Sequence, residues 1–132
     1  ETPQSPLLGA LPLYRLRLSG GKARPSAEPE RQIAPPGFMT SDTAAYGLIL
    51  PKTWQPAPGV QQLAFVQPAV RCIVGAACVV WLQDDTISAG WLQQRDPKQI
   101  TMRTLGTHPV ALRLATTAIR KLERIIALAD AV

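Results

Sequence analysis

The side chains that could carry chemistry are few: one histidine, His108, and two cysteines, Cys72 and Cys78. A nucleophilic hydrolase needs a nucleophile, a histidine base and a group that orients the base. His108 stands in Thr107-His108-Pro109, which reads as the start of a helix, and no G-x-S-x-G turn accompanies it. Zinc fails on the same residues, because this cysteine spacing and a lone histidine match no ligand pattern. Asp84 and Asp85 are neighbours, whereas glycoside hydrolysis needs two carboxylates facing one bond across a cleft, so they read as a turn. Ser19-Gly20-Gly21-Lys22 has glycine before lysine, but it lacks the earlier glycine of a phosphate loop. It also has Ala23 where a magnesium-binding hydroxyl should stand. Pro3-Gln4-Ser5-Pro6 fits the minimal P-x-x-P pattern, which Pro-rich arms produce by chance. The sequence therefore offers no catalytic residue, no metal ligand set and no cofactor motif.

Binding chemistry is better represented. Lys and Arg number 14 against 9 Asp and Glu, a net charge of +5 that favours anionic partners. The basic residues are spread along the chain without a long run, so folding has to assemble any patch. The candidate nucleic-acid contacts are Arg15 and Arg17 on one strand face, with Arg113, Arg120, Lys121 and Arg124 along the outer side of an expected C-terminal helix. The competing reading is a solvated face, since basic residues near a helix C-terminus also complement its dipole. Single-strand binders stack bases on exposed aromatics, yet Trp81 lies in an apolar strand and Trp91 beside Leu92, where both read as core. Trp54, in a Pro-rich loop beside Lys52, could stack on a base or anchor a protein interface. Val70, Val79 and Trp81 lie in an apolar segment longer than one helix can cover, and join Trp54 as interface candidates.

These residues must be placed by one domain, since the chain has 132 residues. It is 46% apolar but only 17% charged, against about a quarter charged in ordinary globular chains, which points to surface buried in a protein partner or a second copy. Along one extended strand Cys72 and Cys78 would be roughly 20 Å apart, so they read as free buried thiols unless a reversal at Gly75 brings them together. Free thiols favour a reducing compartment. A chain that starts at Glu1 also leaves room for a removed signal or transit peptide, so no localisation follows. The longest apolar stretch, 69–82, contains Arg71 and falls short of the roughly 18 residues of a membrane span, so no transmembrane helix is expected.

Ten of the 13 prolines lie in residues 1–58. Residues 1–12 read as an extended arm, because Pro3, Pro6 and Pro12 suit neither a helix nor a central strand. Residues 13–132 form the single domain, with a long irregular loop at 19–45. Strands are expected at 13–18, 46–50, 62–66, within 69–82, at 86–92 and at 99–105. The apolar spacing of three and four from Ala111 through Ala118, Leu122 and Ile125 to Ala129 predicts a helix that begins at Pro109.

The expected fold is α+β: an antiparallel sheet of about five or six strands, one long C-terminal helix packed on it, and a Pro-rich N-terminal arm. The expected function is a non-enzymatic assembly or interaction subunit. The alternative is a small basic module that binds single-stranded DNA or RNA.

Overall fold

A computed structural model describes residues 10–19, 22–35, 44–55 and 61–130. Ten strands follow one another: β1 Leu11–Ser19, β2 Lys22–Pro25, β3 Arg31–Ile33, β4 Tyr46–Ile49, β5 Gln62–Val66, β6 Ala77–Leu82, β7 Ile87–Arg95, β8 Gln99–Thr104, β9 Ala111–Ala115 and β10 Ile119–Asp130. Single turns of 3-10 helix at Lys52–Trp54 and Thr116–Ala118 are the only helical pieces among the described residues. None is long and apolar enough to cross a membrane.

The α+β expectation is therefore overturned. The chain is mostly β, its sheet is mixed, and the residues assigned to a C-terminal helix form β9 and β10. The reason lies in two irregularities of register in β10, between Ile119 and Lys121 against β6 and between Ile125 and Ala127 against β5. A regular strand alternates faces with period two, and each bulge inserts an extra residue that flips the phase. Ile119 and Leu122 consequently share one apolar cluster, while Ile126, Ala127 and Ala129 share another. A strand with two phase flips thus imitates helical spacing. β9 carries the plain strand signal, with Leu112 and Leu114 half-buried and Ala111, Arg113 and Ala115 exposed.

The strands run in the order β2-β1-β4-β5-β10-β6-β7-β8-β9, with β3 beside β1, and a pairing of Ala23 with Ile87 joins β2 back to β7. That contact closes β2, β1, β4, β5, β10, β6 and β7 into a ring. Among the described residues the β1–β4 pair alone is parallel. Inside the ring lies the largest core cluster, including Leu16, Leu48, Val66, Val79, Ile87 and Ile125. On β6 the odd residues Ala77 and Val79 face this interior, whereas Cys78 and Val80 face a second cluster with Leu92, Ile100 and Met102. Both faces of β6 are covered, as the apolar run requires. Burying each of these large side chains contributes about 2 kcal/mol.

Only 77–82 of the apolar run is strand; Val70 lies in the turns that precede it. Residues 1–9 of the expected arm lie outside the described residues, and Leu11 and Pro12 belong to β1, where they pair with Ile33 and Gln32. Within the expected loop at 19–45, β2 and β3 add two strands beside β1. Asp84 accepts bonds from the Thr86 amide at 3.1 Å and the Thr86 hydroxyl at 2.5 Å, which closes the turn between β6 and β7. Its second oxygen holds Lys22 at 2.7 Å. The Lys22 contact first, and the Thr86 bonds after it, hold the Asp84 carboxyl far below the usual carboxylate range.

Candidate functional site

Two surface features collect the chemistry-bearing residues. The first is an apolar groove formed where β6 and β10 separate. Their ladder ends at Arg124 opposite Cys78, and beyond it the rest of β10 pairs only with β5. The gap is a depression of about 440 Å³ between Ile125–Leu128 on one side and Val70 with Gly75–Ala77 on the other. A second depression of about 220 Å³ adjoins it, with Trp54, Leu105 and Pro109 in its wall. Trp91 and Leu128 line both, so the two depressions form one groove. Trp91 is 43% exposed, a large apolar surface left to water. Ile73 and Val74, on the turn beside Gly75, and Val110, beside Pro109, extend the exposed apolar surface at either end. Arg103 and Arg124 supply the charge at its margin.

The second feature is a cleft of about 340 Å³ that includes Tyr14, Tyr46, Trp81, Lys121 and Glu123. Glu123 is buried, and its Oε1 accepts bonds from the Tyr46 hydroxyl at 2.5 Å and from Trp81 Nε1 at 2.8 Å. The tyrosine rings meet edge-on at 6.3 Å, and Tyr46 meets Trp81 at 6.4 Å. The first β10 bulge sits between Ile119 and Lys121, and it turns both Arg120 and Lys121 toward Trp81. Their cationic groups lie 5.6 and 4.6 Å from its ring. In a regular strand consecutive side chains would point to opposite faces.

Burial first, and the bond to Glu123 after it, push the Tyr46 hydroxyl well above its ordinary pKa of 10.0. Above that pH the unfolded chain loses the proton while the folded chain keeps it, so this tyrosine makes stability fall as pH rises. Chemical-denaturation midpoints measured from pH 8 to 11 are expected to fall more steeply for the wild type than for Tyr46→Phe. Equal slopes would mean that the hydroxyl is not held as described.

The six basic candidates do not form one surface. Arg15 binds Glu30 through two bonds of 2.7 and 2.9 Å. Arg120 pairs with Asp85, and Lys121 approaches Glu123 at 3.7 Å. Arg124 donates to the Arg71 carbonyl at 3.2 Å, on the opposite face of β10 from Trp81, as its register with Cys78 requires. Arg113 sits on β9 and Arg17 on β1, opposite Arg24. The expected stripe needed a helix, and the helix is absent.

Of the interface candidates, Trp54 and Val70 both line the groove. Val79 is fully buried and belongs to the interior core. Trp81 lines the aromatic cleft instead. The sequence matches no protein-family model and no curated protein, so its own residues must carry the functional reading. Trp91, expected to be core, is 43% exposed, and the sequence does not single out Leu128, Tyr46 or Glu123. Trp91 shares the strand parity of the core residues Ile87 and Ala89, and nothing local tells that β7 outruns the core there. Glu123 carried a usable signal: a lone acid between basic and apolar residues in a strongly apolar segment demands a buried partner. Among the described residues no group of acids, cysteines and histidine could hold a metal ion.

Proposed function

We propose that this chain is a non-enzymatic assembly subunit that binds a second protein chain, in the first place another copy of itself, in the groove centred on Trp91 and Leu128. The observation that carries the reading is the half-exposed Trp91 at the junction of two apolar depressions. Tryptophan is enriched among the residues that anchor protein interfaces, because it offers a large rigid surface at little entropic cost. The low charged content of the chain supports it, as does the meeting of Trp54 and Val70 in the same groove. Single-stranded nucleic acid is the weaker reading, because Arg15, Arg120 and Lys121 already face acids of the same chain.

Sedimentation or light scattering over a concentration series tests the proposal. The wild type is expected to form dimers or larger species. Trp91→Ala is expected to weaken association by about 2 kcal/mol, roughly thirtyfold in Kd, with the fold intact. A wild type that stays monomeric at every soluble concentration, or an association indifferent to Trp91→Ala, would defeat the reading.

A further inference from the structure

The geometry points to a second site on this protein: Cys72 and Cys78 form a redox-active dithiol that exchanges with small disulfides and closes to an intramolecular disulfide. Both are free thiols, 6% and 0% exposed, in one apolar cluster. Six residues of extended chain would hold them far apart, but the segment between them reverses. Gly75 takes a φ of +95°, which glycine adopts without strain and residues with a side chain do not, and the Ala76 amide donates to the Ile73 carbonyl at 3.0 Å. The Gly75 amide then bonds the Leu92 carbonyl at 2.7 Å, and the Leu92 amide bonds Ala76 at 2.9 Å, so β7 holds the reversal in place. Arg95 donates to the Cys72 carbonyl at 3.3 Å, while Arg124 holds the neighbouring Arg71 carbonyl. The reversal brings both side chains into the same buried cluster, where the Cys78 thiol donates to the Ala76 carbonyl at 3.7 Å.

The pair is also electrically asymmetric. The neighbouring Cys78 thiol, helped by the positive charge of Arg95 and Arg124, pulls the Cys72 thiol below its ordinary pKa. The same contact, together with burial, pushes Cys78 up. Arg124 has a further reason to be at this place. Its Nε is buried with no hydrogen-bond partner among the described residues, a donor left free beside the cysteines. Cys72, the more accessible of the two at 6% against 0% and the one whose carbonyl Arg95 holds, is the attacking thiol, and Cys78 resolves the intermediate.

The exchange balances in two displacements. Cys72 gives its proton to water, its Sγ forms a bond to one sulfur of a disulfide RSSR, the S–S bond breaks, and RS⁻ leaves with its electron pair. Cys78 then gives its proton to the released thiolate, and its sulfur attacks Cys72 Sγ and expels the second RS⁻, which takes a proton from water. The protein loses two electrons and two protons, and RSSR becomes two RSH. This chemistry is independent of whether the groove docks another chain.

The test uses oxidised glutathione as the probe on the full chain, with free thiols then alkylated and the intact mass and peptides read. The wild type is expected to lose two hydrogens, to resist alkylation at both positions, and to yield a peptide linked from Cys72 to Cys78. Cys78→Ser is expected to trap glutathione on Cys72, and Cys72→Ser to react about tenfold more slowly than the wild type. The peptide map of the wild type decides the matter even if a serine variant fails to fold. Glutathione retained on the wild type, disulfides between chains only, or two thiols that stay alkylatable after prolonged exposure would each overturn the inference.

Discussion

Glu123→Ala is expected to destabilise the protein by about 3 kcal/mol, because it leaves buried donors without their acceptor. One carboxylate oxygen takes both the Tyr46 hydroxyl and the Trp81 ring nitrogen, so a single truncation removes the side-chain tie from β4 and β6 to β10 and leaves only the β6–β10 backbone ladder. The 3.1 Å bond from Trp81 to the Tyr46 hydroxyl survives and limits the damage. Glu123→Gln keeps an acceptor and loses only the charge that faces Lys121, and about 1 kcal/mol is expected for it. Urea midpoints compared across the two variants check the argument. Equal losses would mean that charge, and not hydrogen bonding, is what Glu123 supplies.

Gly90→Ala is expected to cost more, about 4 kcal/mol, or to prevent folding altogether. A Cβ at this position would lie 2.3 Å from the Arg103 carbonyl oxygen and 2.9 Å from its carbon, and these are backbone atoms of the paired strand β8. They cannot rotate away as a side chain can. Gly75 makes the contrast. Its φ of +95° is what demands glycine there, while nothing lies within 4 Å of a Cβ built on it. Gly75→Ala therefore costs only the strained backbone, about 1 kcal/mol. Thermal unfolding of both variants separates them, and a Gly75→Ala variant as damaged as Gly90→Ala would contradict the packing described for β7 and β8.

Six of the strands were legible from period-two alternation and turn residues: β1, β4, β5, β6, β7 and β8 fall within or across the expected segments. Their signals are local, because side-chain parity and an Asp or Pro at a turn act within a few residues. Asp84 and Asp96 illustrate this. Each accepts bonds from amides two or three residues further on, a contact that any neighbouring sequence permits. β2 and β3 are short and lack apolar alternation. They become strands because β1 offers them an edge.

The candidate site divides in the same way. Trp54 and Val70 stood out by type and surroundings, and both reach the groove. Trp91 and Leu128, which unite it, look like core residues until β6 parts from β10. By itself the sequence determined the local alternation, the turns, an apolar run covered on both faces, and a low share of charged residues. Only the tertiary structure decided that 119–130 is a strand, that Arg120 and Lys121 share Trp81, and that Cys72 and Cys78 share one buried cluster. Each depends on register between segments distant in the chain. A bulge flips parity only with respect to a paired neighbour, and a reversal holds only where another strand, here β7 through Leu92, accepts its backbone hydrogen bonds.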